Sequence, residues 1–485
     1  MEFLKRYGFI LFFFFSTHAK SQIYFHQLFS GNGYDYGYGL TQTEDSSYLI
    51  AGASSSFENA PAQGLLMKTD SLGNFQWSKS FGGTGAEEFR RVKYIENYCI
   101  YLAGFSTTQS NGSFDNYLVK TDEDGNVLWE VIFGGADWDR ILDMTILPDS
   151  SVFLVGSTFS FGNGAKDWGL YRYDKDGNEM WSTYFGSNLD DEVYACAYYQ
   201  GFLYAGGSVF NSDSLMQKGN MVQLDLNGNV LWTSQLELDG NSVVEDFVIG
   251  NDDKVRGVGS SYSQYDVASE VQFFRMSLDG TLEANFRENR NGELHGVSIV
   301  STLDSSLIYT VHTGRNTPSV GLFEDGFYDS FIVGFNNSFG YDNFAFNFSK
   351  TKNDFIYDMI MSADGGAVMV GEQNFFDDSG AQLCLIKLGP NRETTLPDDS
   401  FLDNIVSVDK DELAQFSIYP NPTNGKISLS TALENLKIDV YNAQGKLLQT
   451  LINEKQIDLT PYPEGLYILH LKSKKSFQVM KVVKY

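Results

Sequence analysis

The chain has 485 residues, with 62 acidic side chains against 34 basic ones and a formal net charge of −28. That charge repels phosphate backbones and anionic lipid, so it excludes nucleic acid and a bare membrane surface as partners and favours cations or basic surfaces, while also keeping an exported chain in solution. The 47 glycines, 15% aromatics and only 9 prolines suit many short strands joined by glycine turns.

Residues 1–21 read as a secretory signal. Lys5 and Arg6 form the positive region, Phe9 to Phe15 the apolar region, and Ala19-Lys-Ser21 a small-x-small cleavage site. The apolar run is too short to span a bilayer, and no later stretch reaches that length, so no transmembrane anchor is expected.

From Gln22 a repeat takes over. KTDSLGNFQWSKSFGG (Lys68 to Gly83) returns as KTDEDGNVLWEVIFGG (Lys120 to Gly135). It returns again as RYDKDGNEMWSTYFGS (Arg172 to Ser187) and QLDLNGNVLWTSQLEL (Gln223 to Leu238). Trp77, Trp129, Trp181 and Trp232 are spaced 52, 52 and 51 residues apart. A period near 50 is that of one four-stranded propeller blade of kelch-like size. Each unit offers four short β-branched or aromatic runs bounded by turn residues. In the turn between the third and fourth runs a glycine recurs, at Gly73, Gly125, Gly177, Gly228, Gly280 and Gly340. A hairpin turn needs φ > 0 there. The tryptophan position continues as Ala284 and Phe344, and a large aromatic there fills the gap between neighbouring blades.

Seven second strands meet only six such turns. Ile23 to Phe29 aligns with Phe75 to Phe81, placing Phe25 at the tryptophan position. The fold class is therefore all-β: a seven-bladed β-propeller over residues 22–391, closed by its N-terminal strand beside Leu383 to Leu388. Closure of this kind leaves no free edge. The sixth unit is longer, with an insertion expected between Thr313 and Phe331. Cys99, Cys196 and Cys384 are odd in number and far apart, each in an apolar run, and read as buried free thiols.

Candidate chemistry is sparse. Asp122-Glu-Asp124-Gly-Asn126 and Asp174-Lys-Asp176-Gly-Asn178 place their glycine too early for a calcium loop and read as hairpin turns. Six residues after the phenylalanine that ends each unit stand Asp35, Glu87, Asp139, Asp191 and Asp354, with Glu245 and Glu293 as nearby equivalents. The preferred reading is that each carboxylate caps backbone N–H groups of the turn leading into its strand. The second is a ring of hard oxygen ligands at the channel mouth for Ca²⁺. No histidine pair has metal-ligand spacing, and there is no nucleophile elbow or P-loop. The chain reads as a non-enzyme, without a cofactor and monomeric; glycoside hydrolysis by two carboxylates stays open, since acids abound. The turn-to-tryptophan pattern is loosely similar to that of pyrroloquinoline-quinone propellers, a likeness of propeller geometry only.

Residues 392–411 are acidic and patternless and read as a linker. Residues 412–485 change character: nine lysines and six acids leave +3, so the rest carries −31. Short alternating strands there predict a small Ig-like β-sandwich. YPNPTNG, VYNAQGKLL, PEGLYILHL and the terminal KVVKY together resemble the type A C-terminal sorting domain of the type IX secretion system of Bacteroidetes. The resemblance covers Phe416 to Tyr485 and places Pro420, Asn421, Pro422, Gly425, Gly445, Gly465 and Tyr467 at motif positions. It implies a partner in the type IX secretion machinery and export across the outer membrane, with release or attachment at the cell surface.

The first functional reading is an exported binding or adhesion module for a glycan or a surface protein. The alternative is a secreted carbohydrate-active enzyme, a lyase or hydrolase, with its site over the central channel. A passive surface-coat component is the third.

Overall fold

The structure is a computed structural model. It describes residues 24–485 apart from 32, 57–60, 109, 111–112, 237–239, 263–268, 289–292, 303, 316–327, 338–340, 348–352, 374–380, 391–392, 394–416, 431–436, 443–445 and 473–476. The expected leader, most of the sixth-unit insertion, Gly340, Gly445 and all of the linker but Glu393 lie outside the described residues.

Strands of five to ten residues cut by tight turns pair with their sequence neighbours. Asp35–Gln42, Tyr48–Ser54, Gln63–Thr69 and Phe75–Phe81 form one antiparallel meander. Five more four-stranded meanders begin with Glu87–Ile95, Asp139–Ile146, Glu192–Tyr199, Asn241–Ile249 and Glu293–Ser301. One further sheet takes Asp354–Met361, Ala367–Gln373 and Gln382–Lys387 and completes itself with Phe25–Phe29 from the other end of the chain. Phe25 stands opposite Lys387 and Phe29 opposite Leu383. Numbered one to seven in this order, neighbouring sheets touch through their first strands, and the seventh touches the first. The fold is all-β and propeller-like, with no helix among the described residues.

Every first strand carries a β-bulge, at Tyr38, Arg90, Leu142, Tyr194, Glu245, Val297 and Tyr357. A bulge bends its strand and re-aims the side chains beside it. It also explains the glycine of the second strands: a Cβ on Gly104 would lie 1.9 Å from the Glu88 carbonyl oxygen. Only glycine permits that approach.

The sheets are stitched forward. The indole Nε1 of Trp129 donates to the Lys175 carbonyl in the turn of the next sheet at 3.2 Å, and Lys120 Nζ donates to the same oxygen at 2.8 Å. Trp181 with Arg172 at Leu226, and Trp232 with Gln223 at Leu278, repeat the arrangement. The indole lies flat on the turn glycine, so a Cβ on Gly177 (φ +87°) would meet Trp129 at 3.1 Å. Phe25 does the same for the turn of sheet one, 2.7 Å from where a Gly73 Cβ would stand. Cys99 and Cys384 are buried and Cys196 half-buried; all three are free thiols.

In the tail, Ser417–Tyr419, Lys426–Ser430 and Gln456–Asp458 form a three-stranded sheet. Leu447–Ile452, Lys437–Asn442, Gly465–Lys472 and Phe477–Lys484 form a four-stranded one. Ile427, Leu429 and Ile457 of the first sheet share one core with Ile438, Val440, Tyr467 and Leu469 of the second.

Candidate binding site at the axis

The bulge registers decide which residues share a level. Counting from each bulge, the position of Asp35 is taken by Glu87, Asp139, Asp191, Ser242, Leu294 and Asp354. Glu245 is instead the bulge residue of sheet five, three places deeper, and Glu293 falls one place early. Neither therefore stands at the level of the other five carboxylates.

The remaining carboxylates fasten their own loops. Asp35 accepts Gly31 N–H at 2.7 Å, with Ser54 and Ser56 hydroxyls at 2.5 and 2.8 Å. Glu87 accepts Gly83 N–H at 3.3 Å and the Ser106 hydroxyl at 2.9 Å. Asp139 accepts Gly135 N–H at 2.7 Å and the Ser160 hydroxyl at 2.8 Å. Asp191 accepts the N–H groups of Ser187 and, at 2.6 Å, Phe210. Ser242 takes the role in sheet five, accepting Gly219 N–H at 2.9 Å. Asp354 is buried at the corresponding place. Glu293 accepts the Tyr328 hydroxyl at 3.0 Å. Among the described residues no three acidic, histidine or cysteine side chains gather into a metal site. The turn acids are also filled: Asp122 Oδ1 accepts Asp124 and Asn126 N–H at 3.0 and 2.8 Å.

Two layers line the axis. In the deeper one, just past the bulges, stand Arg91, Asp143, Asp246 and Asp358 from sheets two, three, five and seven. Arg91 Nε donates to Asp143 Oδ1 at 2.7 Å. Gly39, the equivalent in sheet one, leaves room for the guanidinium to reach the Tyr38 carbonyl at 3.2 Å. Burial alone would lower Arg91, but Asp143, Asp358 and Asp246 raise it. Each aspartate also reaches the next sheet: Asp143 accepts Cys196 N–H at 2.7 Å, Asp246 Ile299 N–H at 2.9 Å and Asp358 Leu40 N–H at 2.9 Å.

The outer layer is half aromatic, half charged. Tyr34, Tyr36 and Tyr38 stack in a column, with ring centroids 6.4 and 5.8 Å apart, and Tyr38 meets Tyr357 at 4.9 Å. Phe355 and Tyr328 extend the row. Glu88, Arg90, Arg140, Glu192, Tyr194 and Glu245 make up the charged half. Arg90 lies 4.1 Å over the Tyr38 ring and pairs with Glu88. Glu192 is held by Lys166 and the Tyr194 hydroxyl. Burial would raise Glu192, but those two donors keep it below its ordinary value. Glu245 is pushed up to about 8 by burial, then by the charges of Glu192 and Asp246; burial pushes Asp246 up to about 7.

Raised acids stabilise the fold only while protonated. Their contribution is complete below about pH 4 and disappears as pH rises through 7 and 8. Stability against thermal unfolding is therefore expected to fall between pH 5 and pH 9 by on the order of a few kcal/mol. Glu245→Gln should flatten much of that slope, and an unchanged slope in the variant would refute the assignment.

From this mouth an aromatic surface runs outward. First-strand starts, second-strand ends and third-strand starts share one end of the sheets, as Asp139, Thr158 and Asp167 pair in register. At that end Trp138 (49% exposed) packs 4.7 Å from Phe114 and 6.5 Å from Phe159 (41% exposed). Phe161 stacks on Tyr184 at 4.9 Å. Lys166 lies 5.8 Å from the Phe159 ring and reaches inward to Glu192. Sequence reasoning missed this surface because its aromatics fall in loops, outside the repeat.

In the tail, Asn421 ties its loop to the last strand: Nδ2 donates to the Lys481 carbonyl at 2.7 Å, and Oδ1 accepts Val483 N–H at 3.0 Å. Pro420 and Pro422 flank it, both after cis peptide bonds. Gly425 (φ +130°) accepts Leu459 N–H at 2.6 Å, and Gly465 (φ +149°) opens its strand. Tyr467 is buried and donates to the Pro463 carbonyl.

Residues 417–485 match the family described as a secretion system C-terminal sorting domain, and this segment is a type IX sorting tail. It implies secretion and contact with the export machinery. No curated protein matches the chain. Among solved structures, the extracellular domain of a one component system from B. thetaiotaomicron is 9% identical with a TM-score of 0.43, over 96% of this chain. The chain spans 59% of the length of that structure. Polysaccharide lyase Uly1 is 10% identical with a TM-score of 0.45, over 76% of this chain and 97% of its own. An alpha-L-arabinanase from Penicillium chrysogenum is 9% identical with a TM-score of 0.43, over 76% and 98%. No helix among the described residues is long and apolar enough to cross a membrane.

Proposed function

We propose that this secreted chain is a closed seven-bladed propeller with an Ig-like sorting tail, and that it binds glycans outside the cell. The observation that supports this reading is the exposed aromatic surface at Trp138 and Phe159, which Lys166 links to Glu192. Flat aromatic faces stack on sugar rings, and charged groups beside them fix hydroxyls or uronate carboxylates. Exposed aromatics gathered on one surface mark an interaction site. In a glycan-array screen of the full chain, Trp138→Ala is expected to lose at least tenfold in affinity for whichever glycan is retained. Equal binding by wild type and variant would discard this face as the site.

A second reading, a carbohydrate-active enzyme, has its own support. Glu192 and Glu245 interact within the axis, yet one is held low and the other raised, the separation that acid–base pairs need. Release of shortened or unsaturated product from a bound glycan, abolished in Glu245→Gln, would favour that reading over binding alone.

A further inference from the structure

The junctions between sheets hold a second, unrelated set of acids. At the junction of sheets one and two, Gln63 begins the third strand and faces the loop ahead of sheet two. Its amide donates to Glu87 Oε2 at 3.1 Å and to the carbonyls of Gly83 and Gly85 at 3.4 and 3.3 Å. A donor is required there, because everything facing it is oxygen. Between sheets four and five the corresponding residue is Lys218, whose ammonium donates to the Gly240 carbonyl at 2.8 Å.

Between sheets three and four that position is Asp167. It is 1% exposed. Its Oδ2 accepts Asn163 and Gly164 N–H at 2.9 and 2.8 Å, but its Oδ1 has no hydrogen-bond partner. That oxygen points at Asp191 across Gly186: a Cβ on Gly186 would lie 2.1 Å from Asp167 Oδ1 and 2.6 Å from Asp191 Oδ2. The repeat offset places the Ser187 and Leu189 carbonyls where Gly83 and Gly85 stand in the first junction. Between sheets two and three, Asp115 Oδ1 and Asp139 Oδ2 repeat the pair across Gly134, 2.6 and 2.7 Å from where a Gly134 Cβ would stand.

We infer that a divalent cation, Ca²⁺, sits between Asp167 and Asp191, and a second one between Asp115 and Asp139, each doing for its junction what Gln63 and Lys218 do for theirs. Two buried carboxylates facing each other are unfavourable without a positive charge between them. A hard cation accepts carboxylate and carbonyl oxygens in the irregular arrangement such loops offer, which Ca²⁺ tolerates and Mg²⁺ does not. The Asp191 carboxyl is raised by burial, and the Asp167 charge adds to this. These sites differ from a ring at the channel mouth: each joins two sheets and needs a third-strand acid. With only two carboxylates apiece, affinity should fall in the range of extracellular modules, a Kd of about 10⁻⁴ to 10⁻³ M.

The test uses the full chain stripped with EDTA. Titration with CaCl₂ followed by calorimetry should give saturable binding, and 10 mM Ca²⁺ should raise Tm by about 3 °C or more, with MgCl₂ giving less. The Asp115→Asn, Asp167→Asn double variant should lose that rise. Its Tm in EDTA should be no lower than that of wild type, because each asparagine amide can donate as Gln63 does. A wild-type chain indifferent to Ca²⁺ would overturn the inference, as would a double variant that keeps the full response. Should the double variant fail to fold, Asp167→Asn alone is expected to halve the number of ions bound.

Discussion

A chain lacking residues up to Phe29 is expected to lose cooperative unfolding altogether. Phe25, Leu28 and Phe29 are buried, and the strand they form supplies the fourth strand of sheet seven. Burial of three such side chains contributes roughly 5–9 kcal/mol, about the whole net stability of a typical fold. The deletion also bares the edge of Gln382–Lys387, a template for pairing with another chain. Phe25→Ala alone should cost about 3–5 kcal/mol, as any large buried aromatic does. Trp129→Ala is the matched comparison, since both rings cover the turn glycine of the following sheet. Calorimetry would decide: an N-terminally shortened chain that melts as sharply and as high as the intact one would show that the ring does not depend on its clasp.

The second large effect is expected at Arg91. Removing its side chain leaves the charges of Asp143, Asp246 and Asp358 without the guanidinium between them. Loss of one partner from a buried ion pair costs about 3–5 kcal/mol, so Arg91→Ala should lower Tm by about 5–10 °C near pH 7.5. The penalty should shrink towards pH 5, because Asp246, which titrates near 7, then carries a proton. A pH-independent loss would instead assign Arg91 a packing role.

The spacing of the tryptophans makes the sheet order legible because one unit cannot bury its own face and must repeat. The alignment of Phe25 with the tryptophans likewise points to the strand that completes sheet seven. The axis was harder to read. Six residues on from Leu236 and Glu288 the count falls on Ser242 and Leu294, neither of them acidic, and taking the nearby Glu245 and Glu293 in their place put both off the level. Arg91 and its three aspartates come from four sheets far apart in sequence and converge only when the circle forms. The junction acids left a signal that could have been used: Asp115 precedes Asp139, and Asp167 precedes Asp191, by 24 residues, the same interval as Gln63 to Glu87 and Lys218 to Ser242.

The forward stitching has a consequence for self-association. Trp129, Trp181 and Trp232 each reach the turn of the sheet that follows, so the contact has polarity, like head-to-tail packing between subunits. Such contacts end in a ring when the rotation closes and in an open fibre when it does not. Here the single covalent chain enforces closure, and a molecule whose clasp strand docked on a neighbour's seventh sheet would pass the same polarity along a growing polymer.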